Sequence, residues 1–75
     1  MIKELYQMLH KEAEADKAKA LLSLELLGNH PSGIGDHSTE DYYKNATEAL
    51  NALADADDRL EALNKYFPQK HIINE

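Results

Sequence analysis

Apolar residues in the second half of the chain fall on one narrow stripe. Tyr42, Ala46, Ala49, Leu53, Ala56, Leu60, Leu63 and Phe67 follow one another at spacings 4-3-4-3-4-3-4. That is an unbroken heptad seam, the pattern of a long helix that buries one face against another helix. The first half carries a matching stripe. Ile2, Tyr6, Leu9, Ala13, Ala20, Leu24 and Leu27 share one face of a segment rich in Ala, Leu, Glu and Lys, which are strong helix formers. Asp16 and Lys17 interrupt this stripe at its middle.

The two stripes predict a shared register. In an antiparallel hairpin facing residues have numbers of constant sum, and a sum of 69 pairs Ile2 with Phe67, Tyr6 with Leu63, Leu9 with Leu60, Ala13 with Ala56, Ala20 with Ala49 and Leu27 with Tyr42. Large residues meet large ones and alanine meets alanine, so the backbones can approach toward the lower end of the ~8–10 Å range of helix packing. The same register sets Asp16 opposite Leu53. A dry carboxylate there would be expensive, so the layer is expected to be wet at its edge, with Asp16 and Lys17 able to turn to either flank of the seam. The sharper alternative makes Asp16 a buried polar device that fixes the register of the oligomer.

A second apolar set, Met8, Ala15, Leu22 and Leu26, lies well round the first helix from this seam. The segment ALLSLELL is apolar nearly all round, and helices of that kind are buried on more than one side. One partner helix cannot cover both stripes, whereas a second copy of the chain can. Tyr43 and Leu50 widen the apolar face of the second helix at the same end. Met8, Ala15, Leu22, Leu26, Tyr43 and Leu50 are therefore the expected self-association surface.

Local signals set the boundaries. Gly28 suits the left-handed residue that closes a helix, and Pro31 stands where a helix can no longer continue. Ser38 fits an N-cap with Asp41 three residues on, Glu40 and Asp41 complement the helix dipole, and Pro68 ends the second helix. The expected fold is all-α: an antiparallel two-helix hairpin over about 2–27 and 39–67, one domain over 1–75 with a short tail at 68–75. Ile72 and Ile73 either fold back over Met1 and Leu5 or fray.

Composition narrows the function. A chain of 75 residues without cysteine has a thin core and no disulfide to support it, so pairing into a homodimeric four-helix bundle is the expected remedy. Its 14 acidic and 8 basic side chains give a net charge of −6, which disfavours nucleic-acid binding. No run approaches the ~18 apolar residues of a membrane span, and MIKELYQMLHKEAEADK lacks a signal-peptide core. The expected location is the cytoplasm.

Unlike functional groups crowd together in one place, the loop NHPSGIGDH, where His30, Gly33, Gly35, Asp36 and His37 form a candidate site. Imidazole and carboxylate suit zinc or nickel, but His30 and His37 lie seven residues apart and leave a ligand unsupplied. A Gly-x-Gly turn before a helix can cradle an anion, yet Asp36, Glu40 and Asp41 already place negative charge there. Neighbouring His37, Asp36 and Ser38 in a loop without a cleft make a poor catalytic set. No Glu-x-x-His spacing marks a di-iron bundle. No metal, cofactor or catalytic residue is expected, and the chain is read as a non-enzyme.

The run SGIGDHSTEDYYKNATEALNALADADDRLEALNKYF resembles small proteins of tailed bacteriophages, including myoviruses of marine cyanobacteria. The likeness rests on Gly33, Ile34, Gly35, Asp36 and His37, a G-[VI]-G-[DE]-H loop, and on Ala54, Ala56, Asp58, Leu60, Glu61 and Leu63 in the following helix. It covers roughly half the chain. It implies a phage origin and a helical hairpin, and carries no activity to transfer. The functional expectation is a small interaction protein that self-associates and binds a host or viral protein. The alternative is an oligomeric protein that sequesters a small anionic, nucleotide-like signal between subunits, lined by Lys17, Lys19 or Lys44.

Overall fold

The computed structural model describes residues 1–29 and 39–69, and these form two long helices. Helix α1 spans Lys3–Asn29 and helix α2 spans Thr39–Tyr66, each about 40 Å long at ~1.5 Å per residue. They pack against each other as an antiparallel hairpin, and the described residues contain no strand. Backbone bonds from Tyr6 N–H to Ile2 O (3.1 Å) and from Phe67 N–H to Leu63 O (3.0 Å) carry the helical ladder one residue past each outer end. Both ends thus match the sequence boundaries. Glu4, Glu40 and Asp41 occupy first turns and Lys65 a last turn, the arrangement favoured by the helix dipole.

The inner end of α1 differs from expectation. Gly28 is helical and Asn29 is the last helical residue, so Gly28 does not close the helix in the left-handed conformation. The phenol of Tyr42, in the first turn of α2, donates a 2.8 Å hydrogen bond to the carbonyl of Leu27. Carbonyls in a last turn lack an intrahelical donor. A tertiary partner supplies one here, and α1 runs two residues beyond the expected stop.

The core is a ladder of single residues. On α1 the buried positions are Tyr6, Ala13, Ala20 and Leu27, and on α2 they are Ala49, Ala56 and Leu63, each set spaced by seven. Tyr42 is half-buried. Hydrogen bonds near the two ends pin the register, from Tyr42 to Leu27 and from Tyr6 Oη to Asn64 Oδ1 at 2.7 Å. Between these anchors Ala13 and Ala56 face each other, both with 0% exposure. Leu9, Leu24, Ala46, Leu53 and Leu60 are half-buried, as expected of a seam with only one neighbouring helix.

Two parts of the apolar pattern are not covered. Ile2 and Phe67, the expected outermost layer, are exposed. In the leucine-rich segment of α1, Leu27 is buried and Leu24 half-buried, while Leu21, Leu22 and Leu26 face solvent. The tail residues Ile72 and Ile73 and the N-cap Ser38 lie outside the described residues.

Candidate functional site

Charged side chains line both flanks of the seam. On one flank Arg59 joins the helices: Nη2 lies 2.8 Å from Asp16 Oδ2 on α1, and Nε lies 3.1 Å from Asp55 Oδ2 one turn back on α2. Lys19 Nζ approaches Asp16 Oδ1 at 3.7 Å. The hydrogen bond from Arg59 holds the Asp16 carboxyl below its ordinary pKa, against partial desolvation and with help from the charges of Arg59 and Lys19. The reciprocal bond raises the Arg59 guanidinium further above its already high value. On the other flank Lys17 Nζ meets Asp57 Oδ1 at 3.0 Å. Asp16 and Lys17 thus turn to opposite sides, and the Asp16 layer is wet at its edge as expected.

Arg59 and Asp57 are partners that the Cα register does not single out. The reason is geometric. Every helical Cβ tilts toward its own N-terminus, so across an antiparallel pair side chains lean toward partners whose numbers sum above the backbone register. Asp16–Arg59 and Lys17–Asp57 sum to 75 and 74 against 69 for the seam. Arg59 is the sole arginine of the chain and stands four residues after Asp55, the one sequence signal that could have marked it.

The grooves between the helices are shallow. One of about 430 Å³ is lined by Tyr6, His10, Glu14, Asn64 and Pro68 among others. There the His10 ring stacks on Tyr6 at 5.5 Å, and its Nδ1 lies 3.4 Å from Glu14. A groove of about 330 Å³ on the Arg59 flank is lined by the Asp16–Lys19–Asp55–Arg59 charges, which answer one another. No group of three or more His, Cys, Asp or Glu converges among the described residues. No described helix is long and apolar enough to cross a membrane.

The expected self-association residues are all exposed, with Leu22 at 56% and Tyr43 at 63%, but they do not make one patch. At ~100° per residue Met8, Ala15 and Leu22 lie about 160° round α1 from its buried line, so they form the back of that helix. Leu26 lies beside them and edges a groove with Ser23, Asn45 and Glu48. Tyr43 and Leu50 fall on the opposite flank of the hairpin, in line with Asp57. The loop candidates His30, Gly33, Gly35, Asp36 and His37 lie outside the described residues. In comparison with known proteins, no family model, no curated protein and no solved structure matches this chain.

Proposed function

We propose that this is a small, non-enzymatic interaction protein that pairs with itself as a homodimeric four-helix bundle and engages a host or viral protein in the cytoplasm. One observation carries the reading. Among the described residues the buried core comprises Tyr6, Leu27, Leu63 and four alanines, whereas eleven large apolar side chains are exposed. Large apolar side chains outside this core outnumber those inside it, and exposed apolar surface on that scale is characteristic of interaction sites. The likeness of the GIGDH loop and its following helix to phage proteins supports a phage origin, and with it a host or viral target.

The sequestration alternative has weaker support. One of the three lysines that would line its pocket, Lys17, is held by the Asp57 carboxylate at 3.0 Å. Light scattering after size exclusion tests the first half of the proposal, with a dimer expected. Leu22→Glu together with Leu26→Glu should abolish it. A pull-down from host lysate tests the second half, with one dominant protein expected and its capture lost on substitution of an exposed face. A rise in melting temperature with one nucleotide of a panel, in place of protein capture, would favour sequestration.

A further inference from the structure

The back of α1 is a second heptad stripe. Met1, Leu5, Met8, Glu12, Ala15, Lys19, Leu22 and Leu26 follow one another at spacings 4-3-4-3-4-3-4. All are exposed, and they include five of the eleven large apolar side chains that face solvent among the described residues. The stripe is also self-complementary. Moving outward from Ala15, each direction meets one charged residue and then two large apolar ones. Toward the N-terminus these are Glu12, Met8 and Leu5, and toward the C-terminus Lys19, Leu22 and Leu26.

We propose that a second copy of the chain docks antiparallel on this stripe, with the two Ala15 residues on the two-fold axis. The inference rests on the self-association reading above and specifies its surface and register. A two-fold interface repeats every contact in exchange. About Ala15 it sets Glu12 against Lys19 of the second copy, Met8 against Leu22 and Leu5 against Leu26, and then each pair again with the roles reversed. Displacing the alignment by one turn loses the match: pairing Met8 with Leu26 sets Glu12 against Leu22 and leaves Lys19 against Ala15. The charges and the apolar positions therefore select the same axis.

Two observations assign the stripe to a copy of α1. Among the described residues Glu12 has no ion-pair partner, and Lys19 is held only by a long 3.7 Å contact to Asp16. Both charges are available to a partner. The matched stretch from Leu5 to Leu26 is ~32 Å long, and a helix-wide strip of that length on two copies covers on the order of 1,000 Å², where specific association begins. The resulting order is α2–α1–α1–α2, with the α1 pair central.

Charge exchange is the test, because the stripe is solvent-facing and each variant's helicity can be checked by circular dichroism. Glu12→Lys alone and Lys19→Glu alone should each weaken the dimer roughly tenfold, since each turns two attractive pairs into repulsive ones. The double exchange should restore it. Lys19→Ala controls for the Asp16 contact. In the cysteine-free chain, Ala15→Cys should cross-link as a disulfide dimer under mild oxidation, whereas Ala18→Cys should not. A wild-type dimer indifferent to both exchanges, with no Ala15→Cys cross-link, would overturn this axis and leave self-association standing. A wild-type chain that stays monomeric at millimolar concentration would overturn both.

Discussion

Arg59 reaches across the hairpin to Asp16, 43 residues earlier in the chain, with 2.8 Å between Nη2 and Oδ2. This contact has a definite pH signature. The carboxyl is held below its ordinary value by the hydrogen bond and charge of Arg59, so the unfolded chain takes up a proton more readily than the folded one. The contribution to stability is complete above the ordinary aspartate pKa of ~3.9 and is lost as pH falls through the lower, folded value. Arg59, shifted upward, stays charged across the accessible range. Denaturation midpoints followed from pH 7 to pH 2 should therefore decline on the acid side. Asp16→Asn should lower the midpoint at neutral pH and flatten that decline.

The alanine layers make the opposite demand, for lack of space. Ala13 and Ala56 have 0% exposure and face each other. Leucine at either position must push the helices apart, and overpacking of this kind costs about 1–3 kcal/mol. For a domain of this size that corresponds to a fall in melting temperature on the order of 10 °C. Ala18→Leu, on the exposed side of α1, should stay within about 0.5 kcal/mol of the parent. Thermal melts of the three variants check the contrast.

Tyr42 is expected to hold the end of α1 through its hydroxyl. Tyr42→Phe keeps the ring and removes the donor to Leu27 O, which should cost about 0.5–1.5 kcal/mol. The loss should be local, seen as faster amide exchange in the last turn of α1 with the Ala13 and Ala56 region unchanged.

Gly28 gives a prediction of opposite sign. It is helical, its φ lies outside the left-handed range, and an added Cβ would meet nothing within 4 Å. Gly28→Ala should then stabilise the hairpin by about 0.5–1 kcal/mol, since glycine in a helix loses more conformational entropy than alanine. Had Gly28 closed the helix in the left-handed region, the same substitution would destabilise. Chemical denaturation distinguishes the two.

The contrast between Gly28 and the seam shows what could be read from the chain beforehand. Tyr6, Ala13, Ala20 and Leu27 were legible against Leu63, Ala56, Ala49 and Tyr42 because burial in a hairpin follows backbone period, and period is written directly in residue spacing. The end of α1 was not, because a Gly–x–x–Pro signal is local while the Tyr42 hydroxyl acts from another helix. Arg59 is hidden in the spacing for a third reason: long side chains meet where their tips meet, about six residues from where their backbones face. The six expected association residues were legible as exposed apolar positions. Their distribution over two flanks and the back of α1 required the hairpin itself.

Alanine at two successive core positions of each helix, Ala13 and Ala20 against Ala49 and Ala56, has a consequence for uniqueness. Slide one helix by a single heptad and Ala13 comes to rest on Ala49, a neighbour as comfortable as the native one. The middle of the molecule cannot tell one notch from the next. Tyr6 and Tyr42, toward the two extremities, make the distinction, because the same slide would set each of them on an alanine. A version trimmed to alanine at those places would rely on Leu27, Leu63 and the Asp16–Arg59 pair alone to choose between closures.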